Sequence, residues 1–185
     1  VGKAEADLAL RTDPRPVSMA AKRCEYGLQY ALIRPEILAQ SPSAGDYALV
    51  CVGGSDLGDL GVEAARRLSQ SGPVVLVRGP LAAPLAGAPA GVDVRLDPPD
   101  LPSLLAGCAF AVTNAGTTAL EAMALGKPVH VLAQTGAEQA TAERFLADAI
   151  VLGAGLDTLA APDPDRAARV AAAGRAAVDG RGAER

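Results

Sequence analysis

Two short stretches of this chain have the residue types and spacing to hold an anion. The first, Gly53-Gly54-Ser55-Asp56, directly follows an apolar run. Glycines let backbone amides approach a phosphate with no Cβ in the way, and Ser55 adds a hydroxyl. The second, Asn114-Ala115-Gly116-Thr117-Thr118, also follows an apolar run and leads into a helical pattern carrying Glu121. A small-residue turn that opens a helix presents unpaired N–H groups and the positive end of the helix dipole, which suit phosphate oxygens. Thr117 and Thr118 add hydroxyls, and a carboxylate one turn inside can accept hydrogen bonds from ribose hydroxyls. Further on, Glu138-Gln139 opens another helix after a strand, within reach of a sugar. This is the layout expected of a nucleotide-sugar pocket. Its candidate binding residues are Gly54, Ser55, Asn114, Gly116, Thr117, Thr118, Glu121 and Gln139. It marks a binding half more clearly than a catalytic one, and no catalytic residue is nominated.

Each feature has a plainer explanation. Gly53-Gly54-Ser55 can be a tight strand-to-helix turn with Asp56 as its cap. Thr117 and Thr118 can cap their helix, Glu121 can complement its dipole, and Gln139 can sit in a solvated first turn. Two such turns on one edge of a sheet favour the ligand reading, because both then face one crevice. A phosphate-loop Gly-Lys-Ser/Thr signature is absent, as is Gly-x-Gly-x-x-Gly after a strand, so phosphate-loop NTPase and dinucleotide chemistry are not expected. His130, the single histidine, is flanked by valines in an apolar run and reads as a satisfied strand residue. Arg23, Arg34 and Arg78 could serve anions, with surface solvation as the default. No carboxylate spacing argues for a metal, and no cofactor is expected.

The elements that must position these residues are read from residue 47 onward. Apolar runs at 47–52, 73–77, 92–96, 109–113, 128–132 and 150–152 predict strands, the third the weakest. Helices are predicted from Asp56 to about 70, then at 101–107, 117–125, about 137–148 and 163–178, with Gly126 stopping the third. Strands apolar throughout, alternating with helices, imply an α/β fold: a Rossmann-like parallel sheet with helices on both faces. Ligands bind such sheets at the carboxyl ends of the strands, where both glycine turns fall. Residues 1–46, with Pro14, Pro16, Pro35 and Pro42, read as an irregular, linker-like lead-in packed on a nucleotide-sugar-binding domain at 47–185.

The bulk composition excludes several classes. The chain has 185 residues, net charge −4 and no Lys/Arg run, so a nucleic-acid partner is not expected. No apolar stretch nears the ~20 residues that cross a bilayer, and Lys3, Glu5 and Asp7 interrupt any signal-like start. Cys24, Cys51 and Cys108 are far apart and lack metal or disulfide spacing, as in a reduced cytoplasmic protein. With no Trp and few aromatics, the core must be built from Ala, Val and Leu.

The segment from Lys22 to Glu36, above all Tyr30-Ala31-Leu32-Ile33-Arg34-Pro35-Glu36, resembles the UDP-sugar hydrolases of the pseudaminic acid pathway and relatives described as spore coat polysaccharide biosynthesis proteins. The Gly53–Asp56 turn, the Asn114-to-Glu121 segment, Glu138-Gln139 and the Asp179-Gly180-Arg181-Gly182 tail follow in the same order. The two turns are shared with the wider GT-B superfamily, including the peptidoglycan N-acetylglucosaminyl transferase. The resemblance implies the C-terminal Rossmann-like half of a two-domain GT-B protein, holding the UDP part of a UDP-linked amino-deoxy sugar in surface-polysaccharide or nonulosonic-acid biosynthesis. It implies a hydrolase that releases UDP. The alternative is the nucleotide-sugar-binding half, or a split subunit, of a glycosyltransferase. In it Gly54, Ser55, Thr117 and Thr118 approach the diphosphate, Glu121 the ribose, the loop near Leu96 and Asp97 the uracil, and Gln139 the sugar. The family's catalytic histidine belongs to an N-terminal domain with no counterpart here. The chain is therefore expected to need that domain, in the same protein or in a partner, and to be inactive alone.

Overall fold

The computed structural model describes residues 5–12, 20–85 and 87–185. The lead-in is more regular than its composition suggests. β1 (Glu5–Arg11) and β2 (Ala20–Tyr26) pair in parallel as a two-stranded sheet; Pro14 and Pro16 lie outside the described residues. β1 alternates Glu5, Asp7 and Arg11 with Ala6, Leu8 and Leu10, and β2 carries polar residues at both alternating sets of positions, so neither has the continuous apolar run of β3 or β4. After a single turn of 3₁₀ helix, the four-residue α1 (Pro35–Leu38) begins at Pro35, whose fixed φ suits a first helical position. Ala31 and Ile37 are fully buried against the domain core.

From residue 48 the expected alternation is present. β3 (Ala48–Cys51), α2 (Leu60–Leu68), β4 (Val74–Arg78), β5 (Val92–Leu96), α3 (Leu101–Gly107), β6 (Phe110–Thr113), α4 (Thr117–Ala124), β7 (Val129–Val131), α5 (Gly136–Ala147), β8 (Gly153–Ala154) and α6 (Pro164–Ala177) follow in order. They form one six-stranded sheet in the order β5-β4-β3-β6-β7-β8, every neighbouring pair parallel. β3 and β4 are buried along their whole length, which requires cover on both faces. Alternate residues provide it. Leu49, Cys51, Val75 and Val77 meet α3, α4 and α5 through Leu105, Ala119, Met123 and Phe145. Ala48, Val50, Val52, Val74 and Leu76 meet α2 and α6 through Val62, Ala65, Leu68 and Val170. β5, the weakest prediction, is the half-exposed edge.

Two boundaries differ from expectation. The last strand is Gly153–Ala154 rather than 150–152, since it pairs only with His130 and Val131 of β7. The second helix starts at Leu60, after a 3₁₀ turn at Leu57–Asp59. Its N-cap position is Asp59, not Asp56.

Candidate functional site

The strand order reverses direction between β3 and β6. From β3 the chain moves to β4 on one side; from β6 it moves to β7 on the other. Their carboxyl ends lie level, with Cys51 opposite Thr113. The two connections therefore diverge at this edge, the usual ligand position in an open parallel sheet. Both glycine turns leave from this point.

The turn after β3 is set from within. Gly53 has φ +91°, a backbone only glycine adopts freely. A Cβ at Gly79 would stand 2.4 Å from Gly54 Cα, so the start of the β4–β5 connection packs directly on the turn, and Leu81 N–H donates to Gly54 O at 3.0 Å. The outer side of Gly54 is open, with no atom within 4 Å of where a Cβ would be. Asp56 is buried in left-handed backbone, φ +45°. Its Oδ1 accepts from Gly61 N–H at 2.8 Å, so it satisfies an N–H of α2 from five residues upstream instead of occupying the cap position. Beneath the turn, Arg78 is buried at the end of β4 and donates from Nη2 to Asp59 Oδ1 at 3.2 Å.

The turn after β6 is built differently. Gly116 is the N-cap of α4 and no side chain caps the helix. Thr117 and Thr118 are thus its first two residues, not its caps, and the amide hydrogens of this first turn have no side-chain acceptor. Asn114 is anchored by donating from Nδ2 to Glu138 Oε1 at 2.7 Å, and Glu138 Oε2 accepts from Gln134 N–H at 2.6 Å. Gln134 then crosses to the first turn, accepting from Leu57 N–H and donating to Val52 O. A Cβ at Gly53 would lie 3.2 Å from Asn114 Nδ2. The two turns therefore border one rim and are joined across it by side-chain amides.

Of the nominated residues, Gly54, Ser55, Asn114, Gly116, Thr117 and Thr118 belong to these two turns. Glu121 lies below the rim, 1% exposed, with Arg34 of the lead-in bound side-on: Nε to Oε1 at 2.6 Å and Nη2 to Oε2 at 3.0 Å. Its charge reaches the end of β3, where it adds to the burial that pushes the Cys51 thiol above its usual range. Gln139 is on the exposed side of α5, its amide donating to Glu143 at 3.3 Å. Asp97, in left-handed backbone, donates its N–H to Arg78 O at 2.8 Å, and Leu96 beside it is exposed. His130 is buried, its Nε2 paired with Gly155 O at 2.9 Å, and burial pushes the imidazole below its usual range. Gln134, Glu138 and Arg34 were not nominated. Gln134 had a signal, being among the first polar residues after a strand at the same sheet edge; Arg34 had only its segment.

No family model matches the sequence, and no curated protein matches it. Solved structures match the fold. The glycosyltransferase SnogD from Streptomyces nogalater aligns over 78% of this chain and 40% of its own, with TM-score 0.52 and 22% identity. The spinosyn forosaminyltransferase SpnP aligns over 94% of this chain and 51% of its own, with TM-score 0.60 and 19% identity. The calicheamicin glycosyltransferase CalG4 aligns over 83% and 43%, with TM-score 0.56 and 22% identity. A further match, the spinosyn rhamnosyltransferase SpnG, is in complex with thymidine diphosphate. The chain thus spans about half the length of these structures or less. It shares with them the Rossmann-like fold of one half of a GT-B glycosyltransferase. No helix of the described residues is long and apolar enough to cross a membrane.

Proposed function

We propose that this chain is the nucleotide-binding, C-terminal half of a GT-B glycosyltransferase and holds the UDP moiety of a UDP-linked sugar. The observation that carries the reading is the pairing, at the reversal of strand order, of an open glycine turn with an uncapped helix start. The diphosphate lies between Gly54 and Ser55 on one side and Gly116, Thr117 and Thr118 on the other. Fixed N–H groups and hydroxyls there stabilise the charge that develops on UDP as it leaves, with no reorganisation required at the moment of reaction. Glu121 accepts from the ribose. Asn114 acts by holding its turn in place, and Gln139 lies toward the sugar end.

The general base comes from elsewhere. The only histidine is locked in β7 with its ring bound to a backbone carbonyl. An N-terminal domain, in the same protein or in a partner, supplies the catalytic group and the acceptor site, and this half is inactive without it. The Tyr30–Glu36 segment favours a second reading, a UDP-sugar hydrolase in surface-polysaccharide biosynthesis. Both readings use this half in the same way and differ in whether water or a carbohydrate accepts the sugar.

Titration with UDP tests the shared part. At a hundred times the dissociation constant, UDP should stabilise the fold by about 2.7 kcal/mol, a rise in melting temperature of roughly 5–10 °C for a domain of this size. No heat of binding and no thermal shift at millimolar UDP would overturn the nucleotide reading.

A further inference from the structure

β1 and β2 do not fit the domain they precede. They pair in parallel with each other and, among the described residues, with no other strand. Parallel sheets occur almost only with both faces covered, and a pair of strands alone is marginal in water. Eight residues separate Arg11 from Ala20, fewer than the dozen or more of a covering crossover. Register partners share a face. Ala9, opposite Cys24, is buried, so one face is closed. The other carries Leu8 and Leu10, 45% and 40% exposed, beside Arg23 and Glu25. Two neighbouring leucines left half open on one sheet face are a surface that a partner covers.

The two edges of the pair differ. β2 carries Lys22, Arg23 and Glu25, and Arg23 donates to Glu25 at 2.7 Å; charges of this kind mark the outer edge of a sheet. β1 runs Leu8-Ala9-Leu10 through its middle, with no charge there. Its free edge is the one suited to a further strand. After β2 the chain changes allegiance. Gly27 turns at φ +138°, and from there the lead-in is tied to the domain: Ala31 and Ile37 are buried in its core, and Arg185 Nη1 donates to Gln29 O at 2.8 Å. The match to SpnP takes in 94% of this chain, leaving out fewer residues than β1 and β2 contain, so at least part of the pair has a counterpart in that fold. About half of SpnP lies outside the match.

We propose that β1 and β2 are an outer strand pair of the other half's parallel sheet: the free edge of β1 takes a parallel strand from that half, whose helix layer covers Leu8 and Leu10. This rests on reading the chain as one half of a GT-B glycosyltransferase and adds where the halves join. The boundary falls at Gly27, and residues 28–46 belong to the nucleotide half.

Hydrogen exchange over residues 5–11 and 20–26 tests this, on the chain alone and on the protein carrying both halves, joined or co-expressed. In the chain alone both strands should exchange at least about a hundredfold faster than β3 and β6, and with the other half present they should slow by about a hundredfold. Leu8→Lys/Leu10→Lys should leave the melting temperature of the chain alone within about 2 °C, because both leucines face solvent there. With both halves present the same variant should lose the added protection. Four results would overturn the proposal: β1 as protected as β3 in the chain alone, a fall of more than about 5 °C in the variant chain, no slowing with the other half present, or added protection that survives in the variant. Sugar transfer by the chain alone would do the same, since no second half would then be needed. UDP binding by the chain alone should be unchanged in the variant. Its absence in the wild type would remove the nucleotide reading and leave the exchange result to decide the strand pair.

Discussion

The two turns at the reversal of strand order reach the same rim by different means. After β3, Gly53, Asp56, Gly58 and Asp59 all have positive φ. Two of these are aspartates, which tolerate left-handed backbone better than most side chains. Asp56 is buried and ties down α2, Arg78 lies below, and Gly79 presses on Gly54 from the side. After β6, residues 114–118 include no positive φ, and the chain runs straight into an uncapped helix. The first turn is a wall whose shape is set by the interior. The second is an open end where a ligand can take the place of a cap. Substitutions in the wall should act on stability, and those at the open end on affinity.

The sharpest way to break this distinction is Gly79→Ala. The new Cβ meets Gly54 Cα at 2.4 Å, Gly54 O at 2.6 Å and Gly53 O at 2.8 Å, all backbone atoms with no rotamer to relieve the clash. The expected cost is about 2–4 kcal/mol, a fall in melting temperature of roughly 5–15 °C. Thermal unfolding checks it. A variant that melts within about 2 °C of the wild type would show that the turn yields easily and is not a wall.

That wall was only partly legible in the sequence. The strands of the main sheet were readable because 47–52, 73–77 and 109–113 are apolar throughout, and glycines mark their ends. The sheet edge that carries both turns followed from the alternation alone. Asp56 was misread because Asp before a helical pattern is the ordinary sign of an N-cap; a left-handed aspartate reaching five residues ahead leaves no local pattern. The Arg34–Glu121 pair was invisible for a related reason: neither residue's neighbours encode a partner 87 positions away. β1 and β2 lack the continuous apolar run that marks a buried strand: β1 alternates polar with apolar residues, and β2 has polar residues in both alternating sets. Gln139 was preferred to Gln134 because it opens a helix, yet its amide follows the helix to Glu143 while Gln134 spans the rim.

Gln134 offers a smaller, intermediate test, because it ties the wall to the far side of the rim. Gln134→Ala leaves Leu57 N–H and Val52 O without their side-chain partner. Leu57 is exposed and can turn to water, so the expected loss is about 1–2 kcal/mol rather than the sum of two buried bonds. The local readout is hydrogen exchange. The Leu57 amide should lose protection while Gly61, held by Asp56, keeps it. Loss of protection at both would mean that the turn depends on the bridge and is not set from the interior.

The smallest change in stability, and the most informative about ligand, belongs to Thr117→Val with Thr118→Val. Valine keeps the β-branched shape, so the helical rotamer restriction is nearly unchanged. Neither hydroxyl caps α4, whose N-cap Gly116 has no side chain to be replaced. Stability should therefore move by no more than about 0.5 kcal/mol. UDP affinity should fall roughly 10- to 100-fold, the loss of one or two hydrogen bonds to a charged group. A marked drop in melting temperature with unchanged UDP affinity would invert the comparison: the open end would be structural, and the phosphate contacts would have to come from the backbone of the first turn.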